Sequence, residues 1–553
     1  MKAFFASLIA AVIAFFGTVS SEFTDMINDY EFTVDASEKG RVLANPASNI
    51  NIWSIDGDPF VNAQINEENN IFDFVNYVQF MQCTGGSAER DLFVDPYNRE
   101  VLDDYDFTVL IENCRGVVNL GAKPFLKLGS VPLKYSERAN TDAMFGTNIY
   151  PPDDYNVYYN YIAAIAQALV DEFGREEVLT WRFGVMTEYE NSAWFMANSE
   201  TPEDSAVEYC KLYDYTVAAL EDVIGEVFVG AHSMTVTEGL WDEADFIRHC
   251  ANGTNYKTGK KGTRLCYLSA SFYDHEPGEY TDGYNLPGTI DYIRSVAESV
   301  GFNNLIYGID EGRILCGNTG GKDSDELLSR ISGYTYQAGY DARLYKQMFE
   351  NDINYFSSWG YLSGGLFAGN PTVSYHVARN AAKFGGAKLV KTEKTEKGLI
   401  LKAEVDAVSA FDENTDTLRI MAYNFKNKVD YKSEADLKFT VKAPQFDGKQ
   451  VKIISYVIDD DCNWFDEWVE DRKTYGIGDD CFSWSPDDPT VDSMGTLSDP
   501  EAREIYENEL YDKYTECSKL VPTEQTATVT NGEINLEITL DPNAVVFYEI
   551  VEI

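Results

Sequence analysis

Histidine is scarce in this sequence, with four residues in 553, and the nine cysteines include no Cys-x-x-Cys pair. Protein zinc sites are built from clusters of these two residue types at short spacings. The sequence therefore argues against a metal centre, and we expect no organic cofactor either.

Positive charge is also in short supply, with 44 Lys and Arg against 91 Asp and Glu and a formal net charge of -47. A field of that sign repels polyanions at long range, which argues against nucleic acid as a partner and leaves neutral glycans unaffected. Aromatic residues make up 14% of the chain, a content that argues against disorder and suits sugar-binding surfaces.

Long apolar runs are confined to the N-terminus, where Ala3 to Phe16 is followed by the small or β-branched residues 17–21. This layout is typical of a secretory signal peptide over residues 1–21. A membrane anchor is the alternative, but the run falls short of the roughly 20 residues that span a bilayer. We therefore expect a secreted protein with no membrane association once the signal is removed.

Disulfide bonds are expected in an exported chain with nine cysteines. The pairs closest in sequence are Cys250 with Cys266 and Cys462 with Cys481. Each pair brackets a polar loop, and these two pairs are the predicted bridges.

Two domains are expected, because 553 residues exceed the roughly 250–300 at which a single core stops growing. Across residues 46–384 short apolar runs alternate with longer helical patterns such as Tyr158–Phe173, which indicates βα units on a parallel sheet. Eight strands are predicted: Ile50–Ile55, Tyr77–Gln82, Pro124–Leu128, Trp181–Thr187, Phe228–Ala231, Tyr267–Ser271, Leu305–Asp310 and Tyr355–Ser358. The fold class is therefore α/β, with a (β/α)₈ TIM barrel.

Beyond the barrel the pattern changes to strict alternation of apolar and polar residues, as in Ile534–Leu540. A period of two indicates antiparallel strands with one wet face, so residues 385–553 are predicted to form a C-terminal antiparallel β-sandwich. Residues 22–45 carry a similar stretch, Tyr30–Val34, and are predicted to pack on the sandwich as an edge strand.

Two glutamates fall where predicted barrel strands end: Glu188 after the fourth strand and Glu311 after the seventh. The carboxyl ends of barrel strands form the cup that holds the active site. Retaining glycoside hydrolysis requires two carboxyl groups about 5–5.5 Å apart, one protonated and one ionised. In a chain with 91 acids, ordinary solvated loop residues are the alternative.

Three stretches resemble the motifs of family 39 glycoside hydrolases, the family of β-xylosidases and α-L-iduronidases. Trp181–Glu188 (WRFGVMTE) is similar to W-x-F-E-V-W-N-E, residues 121–132 are similar to G-x-K-P-F-x-E-L-x-F-M-P, and Leu305–Glu311 is similar to the family's seventh strand. The resemblance implies a retaining glycoside hydrolase in which Glu188 is the acid/base and Glu311 the nucleophile.

The sequence departs from the family pattern at several positions. Thr187 replaces the Asn that holds the sugar 2-hydroxyl, and Lys127 replaces a Glu. Ser271 to Tyr273 replace His-x-Tyr and keep the Tyr, for which the resemblance implies a hydrogen bond to the nucleophile. The family has Thr or Ser before the nucleophile, where this chain has Asp310. A Thr hydroxyl cannot present the carbonyl and NH₂ groups of an Asn side chain. The sequence therefore does not identify the sugar bound at the reactive subsite.

Three further side chains are candidate sugar contacts, each with a structural alternative. Trp359, after the eighth strand, is predicted to form the apolar floor under the sugar rather than to pack in the barrel core. Trp53, after the first strand, is either a stacking platform or a core residue. His232, after the fifth strand, either orients a hydroxyl or is a hydrogen-bonded structural histidine.

Two acids compete with the assigned pair. Asp310 precedes Glu311, but neighbouring strand residues point to opposite sides, so only one of the two is expected to face the lumen. Glu190 is predicted to face the same way as Glu188, which makes it the reserve acid.

Three cations, Lys127, Arg90 and Arg313, are predicted to approach the cup from the ends of strands three, two and seven. Such a cluster could recognise a uronate or a sulfate. The alternative is that each cation pairs with a neighbouring acid.

The predicted function is β-xylosidase-like hydrolysis of plant or algal type oligosaccharides by double displacement, with an oligosaccharide or polysaccharide as the partner. One alternative is hydrolysis of uronic acid-containing glycans, as in the iduronidases. The other is a glycan-binding barrel without catalytic activity.

Overall fold

The structure is a computed structural model that describes residues 29–55, 57–60, 65, 69–235, 239–274, 285–314, 334–358, 369–397, 403–427, 431–481, 497 and 499–553. The predicted signal peptide, residues 1–21, lies outside the described residues, and so does Trp359. Of the helices within these ranges, none combines the length and the apolar character needed to span a bilayer.

Strand β1 (Asp29–Val42) belongs to the C-terminal sheet, and the next eight strands form a closed parallel barrel, which confirms the predicted fold. The barrel strands are β2 (Asn49–Ser54), β3 (Tyr77–Gln82), β4 (Lys123–Leu128), β5 (Arg182–Val185), β6 (Phe228–Ser233), β7 (Tyr267–Asp274), β8 (Ile306–Ile314) and β9 (Tyr355–Ser358). Pairing of β2 with both β3 and β9 closes the ring.

Helices follow most of these strands around the barrel. They are α1 (Thr108–Asn119), α2 (Tyr155–Phe173), α3 (Arg175–Val178), α4 (Pro202–Val223), α5 (Ala244–Asn252), α6 (Leu286–Ser299), α7 (Thr335–Asn351) and α8 (Val373–Ala382). Helix α2 begins after Asp154, whose side chain accepts a hydrogen bond from the Asn156 amide, and it ends at Gly174 with φ 82°. That positive φ suits glycine, and the predicted end of this helix agrees with the structure.

Aromatic rings and one arginine fill the lower half of the barrel. The rings of Phe125, Tyr267 and Tyr355 pack together in the interior. Below them the Arg182 guanidinium lies 3.8 Å from the centre of the Tyr77 ring and 5.1 Å from that of Tyr355. Because this end is filled by side chains, the polar residues of the site are confined to the carboxyl ends of the strands.

The second unit is a nine-stranded sheet in the order β15-β14-β17-β12-β11-β10-β1-β13-β16. Its other strands are β10 (Lys388–Lys397), β11 (Glu404–Asp412), β12 (Thr417–Phe425), β13 (Ala435–Lys442), β14 (Gln450–Ile458), β15 (Thr523–Thr528), β16 (Glu533–Leu540) and β17 (Val545–Glu552). Apolar side chains from most of these strands share one enclosed core, as expected for a sandwich. Alternating burial along β13 and β16 explains the period of two in the sequence.

The N-terminal strand β1 differs from its prediction in position. It lies inside the sheet, antiparallel to β10 and parallel to β13, rather than at an edge. Its side chains Tyr30, Phe32 and Val34 are buried, and the Phe32 ring stacks on Phe439 of β13. The parallel pair also makes the sheet mixed rather than purely antiparallel.

A helical insert connects β14 to β15 and comprises α9 (Phe465–Tyr475), α10 (Pro500–Ile505) and α11 (Tyr511–Cys517). It has a core of its own, which includes Trp464, Trp468 and Tyr514. The Trp464 indole donates to the carbonyl of Pro371, just before α8, at 2.8 Å. The insert is therefore attached to the barrel as well as to the sheet.

The predicted disulfides are wrong. Cys250, Cys266 and Cys462 carry free thiols, which excludes both predicted pairs. Cys250 points from α5 into the barrel core, whereas the Cys266 thiol lies 3.8 Å from the Val227 carbonyl. Closeness along the chain did not bring Cys250 and Cys266 together, because the helix that carries Cys250 and the segment before β7 that carries Cys266 direct them to different neighbours.

Candidate active site

Glu188 follows β5 and is held by three hydrogen-bond donors. Its Oε2 accepts from the Asn191 amide at 2.9 Å and from the Trp194 indole at 3.1 Å, and its Oε1 accepts from the Ser271 hydroxyl at 2.7 Å. The backbone turns sharply here, with φ 42° at Glu188 and φ 63° at Met186. Left-handed backbone at non-glycine residues is uncommon and concentrates at functional sites.

Ser271 connects Glu188 to His232. The Nε2 of His232 lies 2.9 Å from the Ser271 hydroxyl, and the ring is fully buried. Burial holds the pKa of His232 well below its usual value, and the charge of Lys127 acts in the same direction. The ring is therefore neutral at neutral pH. His232 therefore lies behind Ser271 and does not face the sugar site. Of the two predictions for this residue, the structure agrees with a hydrogen-bonded structural histidine.

Glu311 lies in β8, and its Oε1 accepts a hydrogen bond from the Tyr273 hydroxyl at 2.6 Å. Carboxylate oxygens of Glu188 and Glu311 and a ring nitrogen of His232 all lie within 4.8 Å of one another. Both glutamates retain some exposure, 9% for Glu188 and 8% for Glu311. Tyr273 is placed beside Glu311, as the resemblance implied.

A β-bulge precedes Glu311. Strand β8 slips by one residue against β7 between Ile309 and Glu311, which leaves Asp310 as the extra residue. Asp310 is fully buried and its carboxylate forms an ion pair with Lys127 inside the barrel. The expectation that only one of Asp310 and Glu311 faces the interior is therefore wrong, because a bulge interrupts the alternation of a strand.

Two of the three cations expected in the cup are bonded to other side chains, and the side chain of the third lies outside the described residues. Lys127 is fully buried beneath the cup in its ion pair with Asp310, so its prediction as a substrate contact is wrong. Arg90 donates to the side chain of Gln82. The backbone of Arg313 lies in β8, but its side chain is outside the described part of the chain.

Glu190 is not a second acid of the cup, contrary to the prediction. It is fully buried, and its Oε1 accepts from the Ser233 hydroxyl at the end of β6 and from the Met234 amide in the following loop, each at 2.6 Å. A Cβ at Gly239 would lie 2.3 Å from the Glu190 side chain, so glycine is needed there. Burial raises the pKa of Glu190 to about 8.

An aromatic wall borders the Glu188 side of the site. It consists of Trp53, Phe145 and Trp194. The Phe145 and Trp194 rings stack with centroids 4.2 Å apart, and the Trp53 ring lies 6.0 Å from Trp194. Trp53 is partly exposed, in agreement with a platform rather than a core residue. Thr187 lies next to Glu188, with its hydroxyl 3.5 Å from the Met81 carbonyl.

Four members of the site, Phe145, Asn191, Trp194 and Ser271, were not identified from the sequence as functional residues. Asn191 and Trp194 follow Glu188 within six positions, so a search of the loop after β5 for donors would have found them. Phe145 comes from the loop after β4, where no motif marks it. Ser271 appeared as a departure from the family pattern, and its role as a bridge became visible with the placement of His232.

A family model and a curated relative both match parts of this chain. The model for "Glycosyl hydrolases family 39" matches residues 93–415. A β-xylosidase from Geobacillus stearothermophilus is 30% identical over 148 residues, or 27% of this chain and 28% of that protein, so the match spans little more than a quarter of that relative.

Two solved structures share the whole architecture. A bacterial orthologue of human α-L-iduronidase has a TM-score of 0.60 at 14% identity, covering 95% of this chain and 84% of that one. A monomeric β-xylosidase from Caulobacter crescentus CB15 has a TM-score of 0.59 at 14% identity, covering 94% and 99%. At such identity the likeness concerns the fold alone. The family match covers more than half of the sequence, and the chain belongs to glycosyl hydrolases family 39.

Proposed function

We propose that the protein hydrolyses β-glycosidic bonds with retention of configuration, through a double displacement between Glu188 and Glu311. The observation that carries this proposal is the separation of their carboxylate oxygens, which is within 4.8 Å across the barrel mouth. Retaining enzymes require carboxyl groups about 5–5.5 Å apart, whereas inverting enzymes leave room for a water at about 6.5–9.5 Å.

In the first step a Glu311 oxygen attacks the anomeric carbon, and Glu188 gives its proton to the departing glycosidic oxygen. In the second step Glu188 takes a proton from water, whose oxygen displaces Glu311 and releases the sugar. Glu188 must therefore exist with and without a proton. A hydroxyl can donate or accept, so Ser271 can hydrogen-bond to Glu188 in both states.

The substrate we propose is a neutral β-linked pentoside of xyloside type. Two of the three cations on which an acidic-sugar substrate would depend, Lys127 and Arg90, are bonded to Asp310 and Gln82. The identity with a β-xylosidase, 30% over the matched segment, supports the same substrate class. Substrates containing uronic acid are the second candidate, and the two carboxylates at the mouth argue against a barrel that only binds glycans.

The test is hydrolysis of aryl β-xylosides and xylo-oligosaccharides beside aryl glucuronides and iduronides, with the anomer of the first product followed by NMR. We expect release of the β-anomer from neutral xylosides. Glu311→Gln should abolish turnover, and Glu311→Ala should recover aryl xyloside cleavage with azide and give an inverted glycosyl azide. Glu190→Gln is the matched control and should retain activity. Initial release of the α-anomer, or full activity in Glu311→Gln, would refute the mechanism.

A further inference from the structure

A fully buried ion pair lies directly beneath the candidate nucleophile. The ammonium of Lys127, from β4, contacts the carboxylate of Asp310, and both side chains have no exposed surface. The same carboxylate accepts hydrogen bonds from Ser269 at 2.6 Å and from Tyr355 at 2.7 Å. Three strands of the barrel thus hold one side chain of the bulge in β8.

The backbone of Asp310 is held as well. Its carbonyl oxygen accepts hydrogen bonds from the side-chain amides of Asn51 at 2.7 Å and Gln79 at 2.9 Å. The peptide bond that leads into Glu311 is therefore fixed by β2 and β3. Because Glu311 is the next residue, any movement of Asp310 redirects the Glu311 carboxylate.

The charges of Lys127 and Asp310 also affect the ionisation of Glu311. Burial alone would raise the pKa of Asp310, but the charge and hydrogen bond of Lys127 hold it below its usual range. An ionised Asp310 without Lys127 would place a second negative charge next to Glu311. Like charges at that spacing favour protonation of one of the two carboxyls. A protonated Glu311 could not attack an anomeric carbon.

We propose that Lys127 and Asp310 are positioning residues for the nucleophile: the pair fixes the bulge that directs Glu311, and Lys127 neutralises Asp310 so that Glu311 stays ionised. This inference rests on the proposed role of Glu311. It also accounts for two departures from the family pattern together, since Lys127 stands in place of a Glu and Asp310 in place of a Thr or Ser.

Other titratable groups face the pair from the neighbouring strands. Burial raises the pKa of Tyr267 and Tyr355 well above the usual value and lowers that of His232, so all three are neutral near pH 7. Tyr273 and Glu188 lie on the mouth side, around Glu311. The charges that govern the ionisation of Glu311 from below are thus Lys127 and Asp310.

The experiment compares the acidic limb of the kcat/KM profile, measured with an aryl glycoside, in Lys127→Met, Asp310→Asn and the double variant. Lys127→Met removes the cation from both carboxyls, so that Asp310 and Glu311 share one proton, and the limb should move to higher pH by about one unit or more. Asp310→Asn leaves the Lys127 cation uncompensated, and the limb should move to lower pH. In the double variant, which removes both charges, the limb should return towards the wild-type position.

Stability is followed by thermal melting, because losing one partner of a buried pair is far more costly than losing both. If Lys127→Met does not fold, Asp310→Asn and the double variant still give the predicted direction. Lys346→Met removes a remote cation that pairs with Asp406 and should leave the limb in place. Limbs that do not move, or that move in the same direction in both single variants, would overturn the inference. Turnover by Glu311→Gln would instead refute the proposed function.

Discussion

Replacing Glu190 by Gln should flatten the pH dependence of stability. Burial raises the pKa of Glu190 from 4.5 to about 8. Between these values the folded protein keeps the proton on this carboxyl, whereas the unfolded chain releases it. The unfolded state therefore binds fewer protons in this window, and the free energy of unfolding falls as the pH rises through it.

The size of this effect follows from the shift. At about 1.36 kcal/mol per pKa unit, the difference between 4.5 and about 8 corresponds to a loss of ~5 kcal/mol by the alkaline end of the window. Gln carries no proton to release in this range, and its amide oxygen can accept the same bonds from Ser233 and the Met234 amide. In the Glu190→Gln variant, this position should therefore contribute little to the fall in the free energy of unfolding as the pH rises.

Thermal melting of wild type and Glu190→Gln across this range measures the difference. Glu537→Gln, at an exposed position of β16, is the control for a neutralised glutamate and should follow the wild type. We expect the melting temperature of the wild type to fall more steeply with pH than that of Glu190→Gln. Parallel profiles would refute the reasoning, and loss of turnover in the folded variant would make Glu190 the acid.

Three further substitutions follow from the described contacts. Ser271→Ala removes a hydrogen bond to Glu188 worth about 1.5–3 kcal/mol, so kcat for oligosaccharides should fall roughly 10- to 100-fold, and a loss below twofold would contradict the Ser271 bridge. Phe145→Ala removes the ring stacked on Trp194 and should raise KM for oligosaccharides by about 2- to 10-fold at similar kcat; an unchanged KM would exclude the wall from binding. Gly339→Leu should cost about 1–3 kcal/mol and lower the melting temperature, because a Cβ there meets the Asn543 carbonyl at 2.9 Å, and an unaltered melting temperature would contradict this packing.

The barrel could be predicted because its strands leave a local signal. Each of the eight predicted strands overlaps an observed one, since short apolar runs between helical patterns follow from burial on both faces of a parallel sheet. The position of β1 could not be predicted in the same way. Its own pattern shows that it is a strand, but the choice of β10 and β13 as neighbours depends on residues between 346 and 407 positions away.

The site shows the same division between local and distant information. Glu188 and Glu311 could be proposed from the sequence because strand ends and motif register are local properties. The bulge before Glu311 is a property of how β8 pairs with β7, and no residue in β8 alone reveals it. The ion pair of Lys127 with Asp310 joins positions 183 residues apart, so the sequence left open whether this cation would bind substrate or pair with an acid.

Among the described residues, Asp310, Glu190, Glu188 and Glu311 lie in or near the barrel mouth, and their surroundings give these four carboxyl groups different properties. Asp310 is fully buried and neutralised by Lys127, and Glu190 is fully buried with a pKa raised to about 8. Neither has surface with which to touch a sugar. Glu188 and Glu311 keep 9% and 8% exposure, and each is oriented by hydrogen bonds from its own neighbours. Acid and nucleophile assignments depend on environments that separate otherwise similar carboxyls. Burial distinguishes the four acids here, because it keeps Asp310 and Glu190 away from the substrate. Glu188 and Glu311 remain accessible, with a spacing that suits the proposed retaining mechanism.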